Sequence, residues 1–351
     1  MTASDSRIRV SLVYGGRSSE HGVSCLTARE VLSVIDATRY DVRCIGITPE
    51  GRWVEFRPGW PDLEPGRLPQ VPGDAPPVPW ESVAEADVVF PLLHGPWGED
   101  GTLQGLLEMA GVRYVGAGVL ASAVGMDKVF AKAIFASAGL PQVPYVPIEG
   151  ATWPSDRDRV EARVRALGLP VFVKPARAGS SSGVTRVDTW DDLVPAIEEA
   201  RRFDPKVLVE AGCVGAREVE CGIVQGLDGA PEASVVGEVS VQHAAHAFYD
   251  FEAKYLDGTS ANVVPADLPP TVSERIRTYA ITAFEAIGGE GLARVDFFLD
   301  GEDLVINEIN TLPGFTTSSM FPSLWEASGL PYADLVDRLL QLALARPTGL
   351  R

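Results

Sequence analysis

Two short stretches of the chain carry residue types that could do chemistry. The first, Lys174-Pro-Ala-Arg-Ala-Gly-Ser-Ser-Ser-Gly183, ends an apolar run in a lysine and follows it with small residues whose backbone can approach a ligand closely. Consecutive N–H groups and hydroxyls in such a loop can cradle phosphate oxygens while an ammonium neutralises them. A phosphate-facing Lys174 would have no partner within the folded chain; a flexible hairpin tip is the other reading of the segment. The second stretch pairs Arg294-Val-Asp296 with Glu308-Ile-Asn310. Residues two apart on a strand point to one face, so four polar groups share one surface of otherwise apolar strands. Such a row is costly to bury unless something compensates it. The oxygen donors of Asp296, Glu308 and Asn310 suit Mg2+ carried by a nucleotide; a structural salt bridge from Arg294 to a carboxylate is the alternative.

His94 ends an apolar run beside Gly95 and Gly98, a position that suits either a ligand group at the carboxyl edge of a parallel sheet or a capping hydrogen bond. Gly116-Ala-Gly118-Val-Leu-Ala121 has the form of a dinucleotide fingerprint but no acidic residue at the expected distance, and the helix here is expected to begin only at Asp127. His243 and His246 are three apart in a polar loop without the further ligands of a zinc site.

These residues sit in a chain of 351 with 46% hydrophobic and 22% charged side chains, the composition of a globular protein of two or three domains. A formal charge of -18 would repel a polyanion, which excludes nucleic acid as a partner but not a small anion in a local basic pocket. No uncharged stretch is long and apolar enough to span a bilayer, and the polar start, Met1 to Arg7, has no secretory core. Cys25, Cys44, Cys213 and Cys221 lack ligand spacing and read as buried or free thiols, so the cytoplasm is the expected compartment.

The elements that would position the chemistry alternate. Ile8 to Tyr14 reads as a buried strand, Gly15 and Gly16 as a tight turn, and Val23 to Ile35 as the apolar stripe of a helix. Strands at Asp41 to Ile47, Asp87 to Leu93 and Val112 to Val115, with a helix over Thr102 to Ala110, predict a parallel sheet covered on both faces. Eight prolines between Pro58 and Pro79 preclude helix or central strand there. A second unit begins near Gly116, with Asp127 capping a helix that ends at Gly139, a helix over Asp156 to Leu167, and a hairpin of Pro170 to Lys174 with Val184 to Val187. Val207 to Glu210 leads into a third unit. It has strands at Glu218 to Val224, Ala233 to Val239, Leu292 to Leu299 and Leu304 to Ile309, a polar loop from Gln242 to Asn262, and helices over Ser273 to Ile287 and Tyr332 to Ala345.

Six motifs in order, Gly15-Gly-Arg-Ser-Ser-Glu-His-Gly-Val-Ser24, His94-Gly-Pro-Trp-Gly-Glu-Asp-Gly-Thr-Leu-Gln-Gly105, Met126-Asp-Lys128, the Lys174 to Gly183 loop, Phe248-Tyr-Asp-Phe-Glu-Ala-Lys-Tyr255 and Asn307-Glu-Ile-Asn-Thr-Leu-Pro-Gly-Phe-Thr-Thr-Ser-Ser319, together resemble the D-alanine:D-alanine ligases of the ATP-grasp superfamily. The resemblance implies an α/β, three-domain ATP-grasp architecture. An N-terminal parallel-sheet (pre-ATP-grasp) domain, 1–116, would bind the first D-alanine, and two α+β lobes, 117–209 and 210–351, would enclose ATP under a lid at about 242–262.

It implies that Lys128, Lys174, Ser180 and Ser181 hold the nucleotide phosphates, that Glu210 and Glu218 hold the adenine and ribose side, and that Tyr249 and Lys254 close over them from the lid. Asp296, Glu308 and Asn310 would ligate two Mg2+ ions, with Mn2+ as a substitute. Glu20 would receive the ammonium of the first D-alanine near His94, while Arg294, Gly314 and Ser319 would hold the second substrate and the oxyanion. Glu20, Ser180 and Tyr255 would form a hydrogen-bonded triad. The implied reaction is ATP-dependent formation of D-alanyl-D-alanine through an acyl phosphate for peptidoglycan synthesis, by a cytoplasmic homodimer. Ligases making D-alanyl-D-lactate or D-alanyl-D-serine are the near alternative, against which Tyr255 in Lys254-Tyr-Leu speaks. A catalytically silent nucleotide-binding regulator would lack some metal or phosphate ligands, and none is missing.

Overall fold

The structure, a computed structural model, describes residues 7–60, 68–241 and 260–349. Three sheets organise it. The N-terminal one contains β1 (Ile8–Gly15), β2 (Tyr40–Ile47), β3 (Trp53–Glu55) and β4 (Val88–Pro91), in the order β3-β2-β1-β4. β1 runs parallel to β2 and β4, and β3 is an antiparallel edge. Both faces are buried, which explains the continuous apolar run of β1. Leu12 and Tyr14 enter one core together with α1 (His21–Val34), and Val13 enters the other together with α2 (Thr102–Ala110). Gly15 and Gly16 take φ of 89° and 95° in the turn that releases α1, a region that side chains rarely adopt. The segment expected as a strand from Val112 to Val115 makes only an isolated parallel bridge, Val89 to Tyr114. Two hydrogen bonds dock it beside β4, too few to extend a ladder.

Two further helices follow, α3 (Val119–Met126) and α4 (Lys128–Ser137). The expectation that helix begins only at Asp127 is corrected. α3 starts from Gly118 with no side-chain cap, so the usual polar signal is absent, and Asp127 ends α3 while starting α4. The Asp127 carboxylate accepts from the N–H groups of Val129 and Phe130 and pairs with Lys206 at 2.9 Å.

The second sheet contains β5 (Tyr145–Ile148), β6 (Val171–Pro175), β7 (Thr185–Val187) and β8 (Val207–Ala211), ordered β5-β8-β6-β7 and antiparallel throughout. Its core face, Val171, Val173, Val207 and Val209, is covered by α5 (Trp153–Arg165) and α6 (Leu193–Ala200). Strand alternation therefore sends Phe172, Lys174 and Glu210 to the opposite face, toward a cleft.

The third sheet is antiparallel, in the order β11-β10-β9-β12-β13, from β9 (Arg217–Gln225), β10 (Pro231–Val241), β11 (Ser260–Val263), β12 (Leu292–Asp300) and β13 (Asp303–Asn310). Val219, Cys221, Val295 and Phe297 pack on α7 (Pro270–Ala286) and on α3 and α4, leaving Glu218, Glu220, Arg294 and Asp296 for the cleft face. α8 (Met320–Ala327) covers part of that face, and α9 (Tyr332–Ala345) returns to the N-terminal sheet, where Leu335, Leu339 and Leu340 share a core with Leu12 and Phe90. Among the described residues no helix is long and apolar enough to cross a membrane.

Because α9 joins the C-terminal part of the chain to the N-terminal sheet, a cavity under it should loosen both. Leu339→Ala is expected to destabilise the protein by about 2–5 kcal/mol. Urea unfolding checks this, and a loss below about 1 kcal/mol would show that the shared core is not a structural tie.

Candidate active site

The cleft lies where the three sheets meet. From the N-terminal unit comes Glu20, the residue preceding α1, its side chain buried between two glycines. A Cβ at Gly95 or at Gly179 would fall 2.7 or 2.8 Å from Glu20 Oε2, so glycine at these positions leaves room for the carboxylate where it stands, and Gly95 in addition takes φ of 75°. Ser180 Oγ donates to Glu20 Oε1 at 2.5 Å, which ties the Gly/Ser loop to the N-terminal unit. Ser180 and Ser181 hold φ of 49° and 56°, a left-handed stretch within a turn closed by Ser182 N–H on Gly179 O and Val184 N–H on Ser181 O. The loop is anchored at its start by a two-pronged Arg177–Asp204 pair, 2.9 and 2.7 Å, and by Lys128 Nζ donating to Ala178 O at 2.9 Å.

His94 is buried behind Glu20, 3.1 Å from Leu312 O and 3.7 Å from Glu99 through Nδ1, and 3.3 Å from Thr27 Oγ1 through Nε2. Burial alone would lower its pKa, but Glu99 and Glu20 outweigh burial and raise it. Burial likewise raises the Glu99 carboxyl, against the pull of His94. Glu99 lines the cleft beside Glu20. Sequence reasoning gave it no role although it stands in the His94 to Gly105 motif.

The central sheet contributes a buried charge cluster. Glu210 Oε2 is 2.5 Å from Lys174 Nζ, and Glu210 Oε1 is 2.7 Å from Lys132 Nζ. Burial would raise the Glu210 pKa, but the two ammoniums hold it down to about 2. Lys174 is raised because Glu210 outweighs the burial that would lower it. The expectation that Lys174 has no partner inside the fold is therefore corrected: the alternation that points it into the cleft also puts it beside Glu210. Glu210 lines the cleft with one oxygen against each lysine, so its observed contacts position Lys174 and Lys132. Glu218 lines the cleft from β9 of the third sheet.

The third sheet presents the polar row. Asp296 pairs with Glu308 across β12 and β13 and with Glu220 across β12 and β9. The register slips between Asp296 and Phe297, where β13 carries one extra residue, Asn307. This bulge reverses the alternation: Leu304 and Ile306 face the core before it, Ile309 after it, so Glu308 and Asn310 turn to the cleft. Asn307 Oδ1 reaches to 3.5 Å from Lys174 Nζ, and Lys128 Nζ lies 3.3 Å from Glu308. Arg294 grips Asp296 through Nε and Nη2, both at 2.7 Å, and reaches Glu220 at 2.8 Å; Asn310 Nδ2 donates to Asp296 at 3.0 Å. Burial would lower the Arg294 pKa, but Asp296 and Glu220 raise it well above its ordinary value. The salt bridge weighed from sequence is thus present together with the hard-oxygen donor set. The two coexist on one face.

Gly314 lines the cleft, but Ser319 is not among the described residues that do. Its Oγ lies 2.7 Å from Thr316 Oγ1 and 3.2 Å from the Thr316 N–H at the start of α8. Tyr249, Lys254, Tyr255, His243 and His246 lie outside the described residues. Lys132 and Glu220 went unread. A second lysine one turn after Lys128 and a second acid two residues after Glu218 were the available signals.

The charge cluster sets two expectations. Lys174→Ala should destabilise by roughly 1–3 kcal/mol, less than an orphaned buried charge because Lys132 still pairs with Glu210; thermal unfolding with no stability change would remove the pair from the folded state. The depressed Glu210 pKa stabilises the fold fully above pH 4.5, and that contribution should be lost as pH falls from 4.5 to about 2. Urea unfolding at stepped pH should show this acid loss reduced in Glu210→Gln, and equal slopes in both proteins would contradict it.

The D-ala D-ala ligase N-terminus family matches residues 9–117, and the D-ala D-ala ligase C-terminus family matches residues 134–341. The chain is 53% identical to a D-alanine–D-alanine ligase of Kineococcus radiotolerans, covering 99% of this chain and all of that one. It is 52% identical to that of Paenarthrobacter aurescens, covering 98% and 97%. Among solved structures, the D-alanyl-alanine synthetase A of Vibrio cholerae superposes with a TM-score of 0.80 at 32% identity over 97% of this chain and 99% of that chain. A D-Ala:D-Ser ligase of Enterococcus faecalis gives 0.79 at 30% identity, covering 96% of this chain and all of that one. With two matched families spanning most of its length, relatives above half identity and an ATP-grasp fold, the chain belongs to the D-alanine–D-alanine ligase family.

Proposed function

We propose that this chain joins two D-alanines into D-alanyl-D-alanine at the expense of ATP, through an acyl phosphate, as a step in peptidoglycan precursor synthesis. The observation that carries the reading is the Glu20–Ser180 hydrogen bond. It sets an ammonium-binding carboxylate against the loop that follows Lys174, with the carboxylate row of Asp296 and Glu308 also on the cleft wall. A carboxylate is a poor electrophile at neutral pH, and phosphorylation by ATP activates it. Such transfer needs positioning and charge neutralisation more than a protein nucleophile.

In this reading Lys128 and Lys174 neutralise phosphate oxygens, and the N–H groups around Ser180 and Ser181 close over them. Glu218 faces the ribose side, with Glu210 behind Lys174. Glu20 holds the ammonium of the first D-alanine, and His94 and Glu99 buttress it. Gly314 borders the second D-alanine, with Ser319 behind it against Thr316, and Arg294 faces the oxyanion, its Nε and Nη2 fixed by Asp296 and Glu220. Tyr249, Lys254 and Tyr255, outside the described residues, belong to the same reading as phosphate and triad partners.

Two Mg2+ ions, with Mn2+ as substitute, belong to the same reading. Two carboxylates and an amide oxygen on paired strands form a hard donor set that fits such ions, and Asp296, Glu308 and Asn310 would hold them. When bound, they supply charge neutralisation to the triphosphate. The lobes of this reading are 1–116, 117–209 and 210–351; α3 and α4 of the middle one pack on the core of the third sheet. A cytoplasmic homodimer completes it.

Phosphate release from ATP with D-alanine, L-alanine, D-serine and D-lactate tests the reading. Release is expected with D-alanine and a divalent metal, and not with L-alanine. Preference for D-lactate or D-serine would move the assignment to a ligase like the Enterococcus neighbour, and full activity in EDTA would refute the metal requirement. Glu308→Ala and Asn310→Ala should lower turnover by roughly a hundredfold or more while melting normally. Early melting of both variants would make the row structural only.

A further inference from the structure

Lys132 follows Lys128 by one turn of α4 and is 1% exposed. Its Nζ lies 2.7 Å from Glu210 Oε1, at an angle outside that of a directed hydrogen bond, and 5.4 Å from the centroid of the Tyr145 ring. Tyr145 and Glu210 face each other across β5 and β8, so the ammonium is enclosed by one pair of the sheet. A lysine this buried is tolerated only against a compensating charge. Here the compensating carboxylate is already 2.5 Å from Lys174 on its other oxygen. Two ammoniums share one carboxylate, so these three groups carry one excess positive charge between them, while Glu308 and Glu218 act on Lys174 from the cleft wall.

That excess decides what Lys174 can offer a phosphate. Were Lys174 the sole counter-charge of Glu210, turning it toward a ligand would leave a buried carboxylate unpaired, which is strongly unfavourable. We propose that Lys132 is a positioning residue for nucleotide binding: held on Oε1, it keeps the buried Glu210 balanced so that Lys174, on Oε2, can direct its charge at an incoming triphosphate. The proposal rests on Lys174 as a phosphate ligand, and its test separates the two.

Calorimetry of the full chain with ATP and with adenosine compares the wild type with Lys132→Met, Lys132→Met/Glu210→Gln and Lys174→Met. Lys132→Met should weaken ATP binding roughly tenfold, the scale of one nearby charge at a partly screened site. Adenosine, which has no phosphate to meet Lys174, should change by less than about twofold. The double variant restores the wild-type local charge and should regain ATP affinity to within about threefold. Unchanged ATP affinity in Lys132→Met, an equal loss for adenosine, or failure of the double variant to recover overturns the proposal, since Lys132 would then act through packing. If Lys132→Met does not fold, the double variant alone decides by the same threefold criterion. If Lys174→Met leaves ATP affinity unchanged, the phosphate reading of the site falls first.

Discussion

The buried carboxylate of Glu210, held between Lys132 and Lys174, ties together the elements on which the candidate site stands. It forces three elements into fixed relation, because the lysines arrive on α4 and β6 while the carboxylate stands on β8. In a medium where an unpaired ion costs several kcal/mol, none of the three can shift without the others. Asp127 serves the same arrangement from the other side, capping α4 and pairing with Lys206 just before β8 begins. The cleft wall that carries Lys174 is therefore tied to α4 and β8 by its own charges, which suits a site that works by positioning.

Around this centre the cleft is closed by two further ties of different character. One is polar and small: Ser180 reaches from its left-handed turn to Glu20, whose carboxylate has room against Gly95 and Gly179. The other is apolar and broad, the core that α9 shares with the N-terminal sheet. The central sheet has a separate core of its own. Its connection to the N-terminal unit at the site runs through the Gly/Ser loop, so loop order and site assembly are one event.

Much of this was legible in the sequence because it is local. Strand alternation put Arg294 with Asp296 and Glu308 with Asn310, a lysine followed by small residues marked the Gly/Ser loop on the cleft, and six ordered motifs identified the family. Asp127 announced α4 by its side chain, whereas α3 starts from Gly118 without one and was missed. Val112 to Val115 has the composition of a strand, but its neighbour β4 offers only enough partners for a bridge.

The sequence alone determined which chemistry-bearing residue types stand close together and on which parity of their strands, since both follow from covalent spacing. Which face each parity meets was decided by the tertiary structure. The extra residue Asn307 turns Glu308 and Asn310 away from the core that takes Ile306, and a bulge exists only when a partner strand is present to be out of step with. The pairing of charges was likewise a tertiary outcome. Lys132, Lys174 and Glu210 are separated by 36 to 78 positions along the chain, and only burial in one small space makes a single carboxylate the counter-charge of two ammoniums.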